Sequence, residues 1–187
     1  MNKLMKAAVA GCALMAVSAA SATVPDDYFF LEGSFVAHDD RGPDTKSTFG
    51  GRLGFGGVFD RSGGTTTGLE LGLFHNPIKV AGSAGDSQGG AMLDLVQSYT
   101  MRGMNPYVFV GLGIVGEGIG SAEGIYPALE AGGGLLFGLT PDIVGRASLS
   151  LMSVRDDKLD PGVDSYMDLR LNFGLMFPFG AAPAAGR

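Results

Sequence analysis

Charge and reactive side chains are scarce in this sequence. Of its 187 residues 17% are charged; there is one cysteine, there are two histidines, and there is no tryptophan. The 13 basic and 19 acidic residues give a net charge of −6, so no basic surplus exists to hold phosphates and no nucleic acid partner is expected. Beyond the N-terminal segment, no stretch reaches the ~18 apolar residues that a membrane helix needs. Disorder is excluded as well, because 45% of the residues are hydrophobic. Glycine is the residue in excess: 32 of 187, against a usual share of about 7%. Each glycine in a helix interior costs about 1 kcal/mol relative to alanine, which weighs against an all-α fold. The length suits one domain.

Export is written at the N-terminus. Lys3 and Lys6 form a positive region, residues 7–17 are apolar, and Ala20-Ser21-Ala22 supplies the small residues that a signal peptidase reads. Residues 1–22 are therefore expected to be a signal peptide cleaved after Ala22, which leaves 11 basic and 19 acidic groups. Val9-Ala10-Gly11-Cys12 resembles a bacterial lipoprotein box, but five residues between Lys6 and Cys12 are fewer than an apolar signal region requires. With cleavage after Ala22 the mature chain has no cysteine, hence no disulfide, thiol nucleophile or Cys-based metal site.

The remainder alternates with period two. Near the C-terminus Leu169, Leu171, Phe173, Leu175, Phe177 and Phe179 interleave with Asp168, Arg170, Asn172, Gly174, Met176 and Pro178. Side chains on a strand point alternately to opposite faces, so one face meets an apolar medium and the other something more polar. The same alternation sets Phe29, Leu31, Gly33, Phe35 and Ala37 against Phe30, Glu32, Ser34 and Val36, and Phe49, Leu53, Phe55 and Phe59 against Arg52 and Gly54. It recurs in Leu69, Leu71 and Leu73 against Glu70 and Gly72, and in Leu93 and Leu95 against Asp94. Val108, Val110, Leu112 and Ile114 oppose Phe109, Gly111 and Gly113; Leu129, Leu135 and Phe137 oppose Glu130 and Gly132; Ala147, Leu149 and Leu151 oppose Arg146, Ser148 and Ser150. This predicts eight strands of roughly nine to thirteen residues, close to transmembrane β-strand length.

Connection lengths alternate too. Those near residues 60–65, 101–105 and 140–142 are short; those near 38–47, 75–89, 116–125 and 154–163 are longer and hold most of the loop charge. Short turns at one end and long polar loops at the other are the pattern of an outer-membrane barrel. A soluble eight-stranded barrel or sandwich shares the period, but its polar face would meet water and carry many charges. Here that face holds about one charge per strand among glycine and serine, which suits a narrow lumen of a few paired ions. In hydrocarbon a closed barrel is the strand architecture that leaves no open edge. The expected fold is all-β: an eight-stranded antiparallel up-and-down transmembrane β-barrel over residues 23–180, with a short Ala/Pro tail at 181–187.

Residues 105–113 (NPYVFVGLG), 129–142 (LEAGGGLLFGLTPD) and the terminal strand ending Phe177-Pro178-Phe179-Gly180 resemble the OmpA-like and opacity-type eight-stranded barrels of Gram-negative outer membranes. The resemblance implies a monomer in the cell outer membrane, in contact with lipids and lipopolysaccharide. It also implies an insertion signal for the barrel-assembly machinery in Phe173, Phe177 and Phe179. The tail at 181–187 resembles the start of a linker to a periplasmic domain; peptidoglycan anchoring is not carried over.

Several apparent motifs have plainer readings. Gly111, Gly113 and Gly116, with Glu130 beyond, match the spacing of a dinucleotide fingerprint, but that site needs a helix, and Glu117-Gly118-Ile119-Gly120 is a poor start for one. A deacylase-type His-x-Ser is absent at both His38 and His75. His38 with Asp86 and Ser87 imitates the palmitoyltransferase set, in which a histidine activates a serine hydroxyl, yet that family's N-terminal amphipathic helix is missing. Asp39, Asp40, Asp44, Asp156, Asp157, Asp160 and Asp164 crowd the long loops without the one-three-five spacing of a calcium loop. No catalytic residue, cofactor or metal is therefore assigned. The expected lumen charge network is Glu32, Arg52, Glu70, Asp94, Glu130, Arg146, Asp168 and Arg170, with Arg52 between Glu32 and Glu70. The expected role is structural, or surface interaction through extracellular loops. A small-solute channel and a lipid A-modifying enzyme are the alternatives.

Overall fold

The computed structural model describes residues 23–39, 47–78, 87–101, 105–119, 122–140, 142–155 and 165–179. Eight strands follow one another: β1 (Asp27–Asp39), β2 (Thr48–Ser62), β3 (Thr65–Pro77), β4 (Ser87–Tyr99), β5 (Asn105–Ile119), β6 (Ala122–Thr140), β7 (Ile143–Arg155) and β8 (Ser165–Pro178). Each pairs antiparallel with its sequence neighbour, and β8 pairs back onto β1 through contacts such as Phe29↔Phe177, so the sheet closes into a barrel. Closure leaves no strand edge open.

Burial repeats with period two: Leu69, Leu71 and Leu73 of β3 are exposed while Gly68, Glu70, Gly72 and Phe74 are buried. Phase changes between strands, outward residues being odd-numbered in β3 and even-numbered in β5. Ala147 departs from the expected pattern and is buried at its outward position. Its register partners Leu135 and Phe173 are both larger, and they overshadow a single methyl.

The strands are longer than expected, 13 to 19 residues, because ladder pairing continues past the apolar belt. The clearest correction is the segment 116–125, expected as a long loop. Gly116↔Ile125, Glu117↔Gly124 and Gly118↔Glu123 continue the β5–β6 ladder to Ile119↔Ala122. Glycine and charge there do not stop pairing, since an antiparallel ladder needs only backbone donors and acceptors. At the opposite end β2 and β3 meet in a two-residue turn, where Gly63 and Gly64 have φ of 59° and 81°. Positive φ at both central residues matches the twist of a two-residue hairpin, and glycine adopts it without steric cost.

Residues 1–22, expected to be a signal peptide, the tail at 181–187, and Asp40, Asp44, Asp86, Asp156, Asp157, Asp160 and Asp164 lie outside the described residues, as do the side chains of His38 and Asp39.

Candidate functional site

The barrel is inverted relative to a water-soluble one. Leu31, Leu53, Phe55, Leu73, Val110, Leu112, Leu129 and Leu151 cover its outside, with Leu112 63% exposed. Inside, among the described residues, six carboxylates (Glu32, Glu70, Asp94, Glu117, Glu130 and Asp168) and three guanidiniums (Arg52, Arg146 and Arg170) are each at most 5% exposed. All eight residues of the lumen set named from sequence lie on inward faces. Phe173 and Phe179 are exposed on the exterior, and Phe177 stacks on Phe29 across the β8–β1 closure with ring centroids 6.4 Å apart.

The interior is layered along the axis. Toward the short-turn end Val24, Tyr28, Phe30, Tyr107, Leu136 and Met176 form one apolar cluster. Toward the loop end Phe74, Met92, Val115, Tyr126, Met152 and Tyr166 contribute to another. Arg52, Arg146 and the carboxylates paired with them occupy the middle. Arg52 pairs with Asp94 and places Nη1 3.5 Å from Glu130 Oε2. Arg146 Nη1 donates to Glu70 Oε1 at 2.9 Å, and its Nε lies 2.8 Å from Glu32 Oε1 without hydrogen-bond alignment. Glu70 Oε1 also accepts from the Tyr28 hydroxyl at 2.7 Å, and Glu130 Oε1 from the Ser150 hydroxyl at 2.6 Å.

Arg52 and Glu32 stand directly opposite in the β1–β2 register, yet their ion pairs run elsewhere. The expected Glu32–Arg52–Glu70 run is corrected to two Arg-centred groups, Arg52 with Asp94 and Glu130, and Arg146 with Glu32 and Glu70. A guanidinium on three methylenes reaches across a narrow lumen, so strand adjacency does not limit its partners. Aromatic faces complete each cation's surroundings: Phe30 lies 5.4 Å from Arg52 and 4.9 Å from Arg146, and Phe74 lies 4.4 Å from Arg170.

A third group sits nearer the loops. Gln88 Nε2 is within 3.0 to 3.1 Å of Glu117 Oε1, the Tyr166 hydroxyl and Asp168 Oδ2, while Gln88 Oε1 accepts from Arg170 Nη2 at 3.0 Å. Tyr166 donates to Glu117. Glu117, Gln88 and Tyr166 were missed from sequence. Glu117 continues the odd-numbered inward set of β5, a signal obscured by assigning its segment to a loop.

Glycine provides the room for these side chains. A Cβ on Gly54 would come 2.7 Å from Phe30 Cζ, one on Gly132 2.7 Å from Phe109 Cζ, and one on Gly90 2.9 Å from Phe74 Cε1. In each case the large residue stands opposite its glycine in the ladder. Asp94 over Gly111, Met92 over Gly113 and Glu32 over Gly174 repeat the arrangement. Gly111, Gly113 and Gly116 thus lie in β5, whose next described element is the strand β6, and the first two floor the lumen.

His75 is exposed on the exterior between Gly51 and Gly89. Of the His38, Asp86 and Ser87 set, only Ser87 has a described side chain, at the start of β4.

No family model matches the chain, and no curated protein sequence does. Two similar solved structures are Neisserial surface protein A and the outer membrane enzyme PagL. The first has a TM-score of 0.66 at 13% identity, covering 82% of this chain and 97% of that one. The second has a TM-score of 0.53 at 15% identity, covering 80% and 99%. At such identities the likeness is one of fold. The chain has the fold of the eight-stranded outer membrane β-barrels.

Proposed function

We propose that this chain is a non-enzymatic, monomeric barrel of the Gram-negative outer membrane, serving envelope integrity or surface interaction through its loop end. The observation that carries this reading is the inversion of polarity, a continuous Leu- and Phe-rich exterior around a buried ionic interior. Apolar surface on that scale needs a membrane or a partner to cover it. A closed barrel satisfies its backbone polar groups without water, as hydrocarbon demands. Its lipid-facing partners are then outer-membrane lipids and lipopolysaccharide. Export by the N-terminal signal peptide supplies the route. Phe173, Phe177 and Phe179 are the residues we assign to recognition by the barrel-assembly machinery.

Fractionation followed by gel electrophoresis tests the membrane assignment. The protein should appear in the outer membrane fraction, and unboiled and boiled samples in SDS should migrate differently, since a closed barrel opens only on heating. Recovery as a soluble periplasmic protein, or identical mobility, contradicts the proposal. Mass spectra of lipid A from cells with and without the protein should be the same; a lost or added acyl chain would favour the enzymatic alternative.

A further inference from the structure

The short-turn mouth of the barrel is crossed by the segment preceding β1. Val24 is buried there, packed in the apolar cluster that contains Tyr28, Tyr107 and Met176. The backbone behind it is tied down at Asp26, whose carbonyl accepts from the Val58 amide at 2.7 Å. Arg61, on the extension of β2 beyond the Val58/Asp60 bulge, holds the same segment from outside. Its Nη2 donates to the Val24 carbonyl at 2.7 Å and to Asp26 Oδ1 at 2.6 Å, and its Nε donates to the same carboxylate oxygen at 3.0 Å. Arg61 Nη1 also donates to Thr66 Oγ1 at 3.4 Å, linking the segment to β3. Val24 forms part of the wall of a cavity of about 10 Å³, whose other lining residues include Thr66, Glu70, Ser98, Tyr107 and Arg146. Val24 therefore stands between the turn-end surface and the Glu70–Arg146 ion pair.

The fastening is uneven. Val24 is 7% exposed, but the Arg61 and Asp26 side chains are 38% and 55% exposed, and an ion pair so open to solvent is weak and easily screened. A segment held by one buried apolar residue, one backbone bond and an arginine half open to solvent belongs to the part of a fold that opens locally before the rest.

We propose that residues 23–26 form a releasable stopper, with Val24 as the plug and Arg61 as its latch, and that its release admits water and small solutes from the turn side to the Glu70–Arg146 layer. The central ionic layer still blocks through-passage, so the opening is a vestibule and not a pore.

A thiol reporter tests this. In a Cys12→Ser background, Ser98→Cys places a single cysteine on the cavity wall, and a charged, membrane-impermeant methanethiosulfonate measures access to it in the folded, heat-modifiable protein. With the native stopper, labelling should be slow and should accelerate several-fold as salt is raised, because screening loosens the latch. Arg61→Ala should speed labelling at least ten-fold, and Val24→Gly, which leaves Arg61 in place, should do the same. Fast, salt-independent labelling with the native segment overturns the proposal. So does an unchanged rate in either variant while the barrel remains heat-modifiable. The salt series needs no substitution in the stopper, so a variant that fails to fold leaves the test decisive.

Discussion

The carboxylate of Asp94 lies over Gly111, its register partner on β5, in the space a Cβ at that glycine would occupy. Asp94 reaches Arg52 from that position. A backbone position without a side chain thus lets a buried ion pair form.

Gly111→Ala should accordingly destabilise the barrel beyond the ~1–3 kcal/mol usual for overpacking, because the methyl displaces Asp94 from Arg52. Gly116→Ala is the control: a Cβ there would meet nothing closer than 3.6 Å. Urea unfolding in lipid vesicles should show a large loss for the first and little for the second. Equal losses would mean that glycine acts through the backbone and not through the room it leaves.

Arg52→Leu removes the partner shared by Asp94 and Glu130. Breaking a buried pair from one side leaves an uncompensated charge and costs about 3–5 kcal/mol. The Arg52→Leu/Asp94→Leu double variant should recover much of that loss, and more than Arg52→Leu/Glu32→Leu does, since Glu32 pairs with Arg146. Better rescue through Glu32 would restore the pairing suggested by strand adjacency.

Leu71 faces outward at mid-strand between Phe55 and Leu93, whereas Ser165 is exposed at the loop end of β8. If the exterior meets lipid, Leu71→Arg should cost about 2–4 kcal/mol in vesicles and Ser165→Arg about 0–1 kcal/mol. Refolding yields at graded urea measure both. A matching, small cost at the two sites would remove the lipid belt.

Planar bilayers should show little steady ion conductance. Eight strands enclose a space that side chains fill, and here two apolar clusters flank the ionic layer. Stable unitary currents from the purified protein would instead favour the small-solute channel.

Strand count and the facing of nearly every residue were legible in the sequence, because period two follows from the geometry of a single strand, and the up-and-down order was legible in the alternation of short and long connections. Leu171 and Asn172 declare opposite faces without reference to anything distant. The extent of β5 and β6 was not legible. Gly116, Gly118 and Gly124 look like loop residues until a partner strand supplies the hydrogen bonds that keep them extended. Glu117 was lost with them.

The alternation of apolar and polar positions by itself determined that one face would be Leu- and Phe-rich and the other would carry a few ions among small residues. Which ions meet was decided by tertiary structure alone. Arg52 bonds to Glu130, 78 residues away, and Arg146 to Glu70, 76 residues away. Those partners are set by the barrel's closure and by the reach of a guanidinium across its lumen. The fit of Asp94 over Gly111 has the same origin, since ladder register, unlike facing, belongs to two strands and not to one.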